Sequence, residues 1–160
     1  MPPPPAPVYV SMPIQQPAPP VYIPVPVPQP VVVENPNKGT TLFTGQVLCN
    51  GQYLESNNKK ARAVLEANGK FTLYNNGSKA WESGGTGQVG SVFRLAMQAD
   101  GNLVIYENDL PNSNGRGARW STDTRNNGNY LRLEDSLDLI IYKPNGSKEW
   151  SSKDGKCSIM

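Results

Sequence analysis

Short apolar runs with a period of two dominate residues 37–152, and one of them sets the frame for the others. In the stretch Gln98-Ala99-Asp100-Gly101-Asn102-Leu103-Val104-Ile105-Tyr106, Leu103 and Ile105 alternate with Gln98, Asp100, Asn102, Val104 and Tyr106. Alternation of this kind turns one set toward a core and the other outward. Asp100-Gly101 interrupts it with a hairpin signal. Parity selects the loop. A two-residue loop would set Gln98 against Leu103, polar against apolar. A three-residue loop, Ala99-Asp100-Gly101, sets Gln98 against Asn102, Met97 against Leu103 and Leu95 against Ile105, with Gly101 at the left-handed position. The outer face then holds two amides, a carboxylate, a small apolar side chain and a phenol, with no cation among them. Such a surface suits a ligand rich in hydroxyl groups, which both donate and accept hydrogen bonds.

The same pattern recurs. Blocks 63–81, 95–120 and 130–150 each read as an apolar strand, a tight loop, a strand ending in Tyr and then a Trp. In the first, a loop at Ala67-Asn68-Gly69 sets Leu65 against Phe71 and Ala63 against Leu73. In the third, Asp135-Ser136-Leu137 sets Leu133 against Leu139 and Leu131 against Ile141. Asn-Gly and Asp-Gly pairs punctuate the runs and no long stretch has a helical period, so the chain reads as all-β. One block alone buries too little to stand, so three sheets are expected to share one core, with Trp81, Trp120 and Trp150 as its central fillers.

Residues 1–36 break this texture. They hold 14 of the 16 prolines and a single charge, Glu34. Proline lacks an amide donor, so this arm is expected to be extended polyproline II without a fixed tertiary position. The run from Pro2 to Pro5 suits a reader of the SH3 or profilin type, and Pro19-Pro20-Val21-Tyr22 fits the PPxY pattern read by WW modules. A net charge of +2 with no Lys/Arg stripe argues against nucleic acid. Histidine is absent, which removes the commonest general base and metal ligand. No nucleophile–base pair and no phosphate loop can be assembled, so no enzyme, metal or cofactor is expected. Cys49 and Cys157 make no framework of bridges. There is no basic-then-apolar leader and no run of membrane-spanning length, so a cytosolic location is expected.

With the repeat in hand, Gln98-x-Asp100-x-Asn102-x-Val104-x-Tyr106 resembles the QxDxNxVxY signature of the bulb-type mannose-binding lectins. The opening Leu42-x-x-Gly45-Gln46-x-Leu48, followed by Gly51-Gln52-Tyr53-Leu54, resembles the start of that domain. The resemblance covers residues 37–152. It implies a β-prism of three four-stranded antiparallel sheets with pseudo-threefold symmetry, up to one mannose site per repeat, and no metal. It also implies roles: Asp100 and Asn102 for the axial 2-hydroxyl, Gln98 for the 3-hydroxyl, Tyr106 for the 4-hydroxyl and Val104 for the apolar ring edge. Many secreted members staple the first repeat with a disulfide; here only Cys49 lies in the domain.

The other two repeats depart from the signature. The first reads Glu66, Asn68, Lys70, Thr72 and Tyr74 at the five positions, and a Glu66–Lys70 salt bridge is expected to occupy the sugar's place. The third reads Glu134, Ser136, Asp138, Ile140 and Tyr142. Its facing carboxylates match a hydrolase pair or a cation site in type, but a solvated, eroded sugar site is the expectation. One competent site is therefore expected. In the tail, 153–160, Cys157-Ser158-Ile159-Met160 reads as a CaaX box for farnesylation. A single prenyl chain binds membranes weakly, so Lys148, Lys153 and Lys156, or a homodimer, would have to reinforce it. The function expected is a mannose-binding lectin held peripherally on a cytosol-facing membrane by farnesylated Cys157. The runner-up is a prenylated scaffold that keeps the fold and binds protein in place of mannose-containing glycans.

Overall fold

In a computed structural model, the structure describes residues 2–6, 35–85, 87–88, 90–108 and 117–154. The chain divides into two units, Met1–Glu34 and Asn35–Met160. In the first, residues 2–6 are exposed and carry neither helix nor strand. The PPxY pattern, most of the Pro-rich arm and the CaaX box with Cys157 lie outside the described residues.

Among its described residues the second unit is all-β: twelve strands in three four-stranded antiparallel sheets. Strands β4 (Ala61–Leu65), β5 (Phe71–Asn75) and β6 (Ser78–Glu82) form the first repeat. Strands β7 (Phe93–Met97), β8 (Leu103–Glu107) and β9 (Ala118–Ser121) form the second. Strands β10 (Tyr130–Glu134), β11 (Asp138–Tyr142) and β12 (Lys148–Ser151) form the third. The opening supplies β1 (Thr41–Leu42), β2 (Val47–Cys49) and β3 (Tyr53–Glu55), and each goes to a different sheet. The orders are β3-β4-β5-β6, β2-β7-β8-β9 and β1-β10-β11-β12.

The hairpin registers follow from parity as expected: Leu65 opposes Phe71, Met97 opposes Leu103, and Leu133 opposes Leu139. Continued across each sheet, the pairing makes one apolar rung. It runs Leu54–Ala63–Leu73–Trp81 in the first, Leu48–Leu95–Ile105–Trp120 in the second and Leu42–Leu131–Ile141–Trp150 in the third. The three indoles close the rungs at the centre, with ring centroids 5.8 to 6.0 Å apart and edge-to-face planes of 68 to 73°. Such contacts add about 0.5–1.5 kcal/mol per pair beyond area burial. The tryptophans are core residues, as expected.

Two further devices repeat three times. The register slips by one residue just before the motif tyrosine, between Leu73 and Tyr74, Ile105 and Tyr106, and Ile141 and Tyr142. The extra residues are Ala80, Arg119 and Glu149, each directly before a Trp. A bulge of this kind twists its strand and re-aims the side chains beside it. The second device is a hydroxyl two residues after each Trp. Ser83, Thr122 and Ser152 accept the N–H of Phe71 (2.9 Å), Leu103 (3.3 Å) and Leu139 (3.0 Å). Their own N–H groups return to the carbonyls of the same three residues at 2.8, 3.0 and 2.9 Å. These staples start each second hairpin strand at the same height and so fix the floor of each outer face.

Candidate functional site

The second repeat gathers its five signature residues on the outer face of β7–β8. Gly101 makes this possible twice over. Its φ is 89°, and a Cβ there would lie 2.3 Å from the Asn126 backbone. Only glycine both turns the chain and lets the 126–129 loop pack against the hairpin tip. Asp100 Oδ1 accepts the Asn102 N–H at 2.9 Å, which shapes the loop, and Asp100 itself is exposed. Gln98 Nε2 donates to the Tyr106 hydroxyl. Thr122 Oγ1 reaches Asn102 Oδ1 at 3.4 Å, while Asn102 Nδ2 has no protein partner among the described residues. Val104 is the floor, only 3% exposed.

One expectation fails here. The face carries a cation, because the Arg94 guanidinium lies 5.9 Å from the centre of the Tyr106 ring. Arg94 opposes Tyr106 across the hairpin and stands four residues before Gln98, on the same parity. The nine-residue window was too short to include it. Ser121 and Thr122, at the end of β9 and just past it, also border this face. Ser121 faces Val104 from β9, and its hydroxyl donates to Asp123 at 2.6 Å. The Trp-x-Ser/Thr spacing, repeated three times, was the available signal.

The first repeat uses the same backbone with other chemistry. Glu66 and Lys70 do oppose each other, with the Glu66 N–H donating to the Lys70 carbonyl at 2.8 Å. The expected Glu66–Lys70 salt bridge is not formed. Lys70 Nζ lies 3.2 Å from Glu82, which also holds Lys79 at 3.0 Å. Glu66 instead accepts the Tyr74 hydroxyl, which raises the Tyr74 pKa. The reason is that Glu82 opposes Thr72 from β6, beside Lys70, where the second repeat has only Ser121. Asn68 repeats the Asp100 loop bond, accepting the Lys70 N–H at 3.0 Å. Glu66, Asn68, Thr72, Tyr74 and Glu82 line an open cleft of about 280 Å³.

In the third repeat Glu134 and Asp138 oppose each other as expected, but Asp138 is buried. Asp138 is 8% exposed and accepts from Ser151 Oγ at 2.7 and 2.8 Å and from Ser152 Oγ at 3.0 Å. Glu134 accepts the Tyr142 hydroxyl at 2.8 Å and lies 3.4 Å from Arg132. The two carboxylates are thus committed to different partners. Burial, then the Glu134 contact, pushes the Tyr142 pKa up to about 12. Tyr130 stacks on Tyr142 at 5.4 Å, in the place that Arg94 takes beside Tyr106. Ser136 and Ile140 keep their motif positions, on the hairpin loop and on β11.

The three faces share one plan: the first signature residue bonds the tyrosine hydroxyl, and the residue at the Asn102 position decides what is left for a ligand. No family model matches the chain. Plumieribetin, a B-type lectin of Scorpaena plumieri, is 35% identical over 112 residues, covering 68% of this chain and 89% of plumieribetin. Curculin-2 of Molineria latifolia is 34% identical over 71 residues, 44% of this chain, and the match spans 39% of curculin-2. A solved structure of monomeric monocot mannose-binding lectins from Gastrodia elata matches at 27% identity with a TM-score of 0.59. It covers 72% of this chain and 97% of its own. By its threefold β-prism and by its likeness to plumieribetin along nearly the whole of that lectin, the chain belongs to the bulb-type (B-type) lectin family.

Proposed function

We propose that the second repeat binds a terminal mannoside through Gln98, Asp100, Asn102, Val104 and Tyr106. The observation that carries the reading is the placement of Asn102. Thr122 touches its amide oxygen and leaves Nδ2 for a ligand hydroxyl, in the same hairpin tip as the exposed Asp100 carboxylate. A hydroxyl that donates to the carboxylate and accepts from the amide uses both groups. Val104 gives an apolar floor to a sugar ring edge, and Tyr106 and Gln98 close the far side. The Gastrodia elata relatives are mannose-binding, which supports this choice of sugar. A shallow, hydroxyl-only site implies a monovalent Kd on the order of millimolar, raised by multivalent glycans.

Calorimetry with methyl α-mannoside tests the site. Wild type should bind with a stoichiometry of one. Asn102→Ala should reduce binding more than about tenfold, the loss of one or two hydrogen bonds at a polar site, with thermal stability unchanged. Wild-type affinity in Asn102→Ala would refute the site. The membrane reading rests on the chemistry of Cys157: farnesylation of its thiol would tether the lectin to a cytosol-facing membrane. Intact mass should show the prenyl addition, and Cys157→Ser should move the protein to the soluble fraction without altering mannoside binding. An unmodified C-terminus in the native host would remove the tether.

A further inference from the structure

We propose that the first repeat carries an anion-binding cleft of its own, which takes the sulfate or phosphate ester of a charged saccharide. A second depression, of about 470 Å³, adjoins the first repeat's motif cleft. Lys59, Lys60 and Arg62 stand around it, Val64 and Tyr74 form its apolar floor, and Asn76 lies at its edge. Tyr74 lines both depressions and is the wall between them.

The charge balance of this cleft favours an anion. Glu55 is the carboxylate that pairs there, 3.0 Å from Lys59 Nζ and 2.8 Å from Arg62 Nε. Its side chain is 8% exposed, whereas those of Lys59 and Arg62 are 72% and 54% exposed. An incoming ligand therefore meets the two cations and not the carboxylate behind them. Lys60 is exposed and has no carboxylate partner among the described residues. The cleft presents three cations over one screened anion.

Two of the three cations, Lys59 and Arg62, are also held in place, which lowers the entropy lost on binding. Lys59 sits at φ 63°, in a turn closed by its N–H to the Ser56 carbonyl at 3.0 Å. Asn58 braces the same turn. Its Oδ1 accepts from Ser56 Oγ at 2.7 Å and from the Lys60 N–H at 3.1 Å, and its own N–H donates to Asp135 at 2.9 Å. Arg62 is fixed from both sides, by Glu55 and by the Tyr53 ring 4.7 Å below its guanidinium.

The feature belongs to this repeat alone. By hairpin register, the positions of Lys59, Lys60 and Arg62 are Ser91, Val92 and Arg94 in the second repeat, and Asn127, Gly128 and Tyr130 in the third. A saccharide is favoured over a free anion by the floor of Val64 and Tyr74 and by the neighbouring cleft. There Asn68 and Glu66 offer an amide and a carboxylate to ring hydroxyls. The first repeat has thus lost the neutral-sugar signature on one side of Tyr74 and gained a cationic pocket on the other.

Amide NMR titration of the full chain tests this with three probes: mannose 6-phosphate, inorganic phosphate and methyl α-mannoside. Mannose 6-phosphate should move the signals of Lys59, Lys60, Arg62 and Asn76, and its affinity should fall as salt rises. Inorganic phosphate should bind the same residues several-fold more weakly, and the neutral mannoside should leave them unmoved. Lys60→Glu, a substitution on an exposed side chain, should weaken mannose 6-phosphate at this cleft about tenfold by turning attraction into repulsion. Asn102→Ala should leave it unchanged, so failure at the second repeat and failure here are separable. The proposal is overturned if no signal in this group moves, if inorganic phosphate binds as tightly as the sugar ester, or if Lys60→Glu binds like wild type.

Discussion

The second and third repeats share a backbone plan, and one informative difference is where the side chain at the Asn102 position spends its hydrogen bonds. Both have a hairpin of the same register, a bulge before the tyrosine and a hydroxyl staple after the tryptophan. At the position of Asn102, the third repeat has Asp138. The Asn102 side chain makes one long contact, its Oδ1 accepting from Thr122 Oγ1 at 3.4 Å. Asp138 draws the hydroxyls of Ser151 and Ser152 onto itself and is buried by them. A carboxylate beside two serines is stabilised where an amide would be left free to meet a ligand. The lesson is that one motif position on this scaffold can be satisfied internally or left without such partners while the hairpin register stays the same.

The largest way to break the comparison is at the hairpin tip. Gly101→Ala should cost more than about 3 kcal/mol, since it adds left-handed strain to a collision with the Asn126 backbone. Gly146→Ala, at a comparable φ of 86° with nothing within 4 Å of the added Cβ, should cost only about 1–2 kcal/mol. Chemical denaturation of both variants reads the difference; equal losses would mean that loop packing does not define the second site.

The staples separate stability from binding. Thr122→Val and Ser152→Ala each remove the hydroxyl that accepts a buried strand N–H, and each should cost about 1–3 kcal/mol. Only Thr122→Val also frees the Asn102 amide to rotate, so it alone should weaken mannoside binding, by about threefold. Calorimetry on both variants decides this.

Glu134→Gln would give the third repeat the amide–phenol pair of Gln98 and Tyr106. Tyr142, held near 12 by burial and then by Glu134, should titrate lower in this variant but stay above 10, because burial remains. The sign for stability follows from a raised folded pKa. The Tyr142 contribution is fully present below pH 10 and is lost as pH rises toward 12. Ultraviolet titration reads the shift, and alkaline melting of wild type against Glu134→Gln should show a shallower loss in the variant. An unchanged Tyr142 titration would mean that Glu134 does not act on it.

The smallest effect concerns the loop residue that glycine occupies in the other two hairpins. Leu137 has φ 63° but packs its half-buried side chain on the core. Relief of about 1–2 kcal/mol of left-handed strain opposes a similar loss of apolar burial. Leu137→Gly should therefore change stability by less than about 1 kcal/mol in thermal unfolding. A larger loss would show that packing outweighs strain at this loop.

The period of two, the three-residue loops and the recurrence of Tyr and Trp determined the hairpins, their registers and the inward turn of the tryptophans. They did so because side-chain alternation is local and a one-residue slip would reverse both faces at once. The same parity placed Gln98, Asn102, Val104 and Tyr106 on one surface. Only the tertiary structure decided which sheet each opening strand joins, since two- and three-residue strands such as β1 and β2 carry too little pattern to choose partners. It likewise decided that Lys70 turns to Glu82 and not to Glu66, and that Asp138 turns inward to Ser151 and Ser152. An ion pair or a buried carboxylate is settled by which oppositely disposed group lies nearest in space. Glu82 and Ser151 reach those places from a third strand, 12 and 13 residues further along the chain.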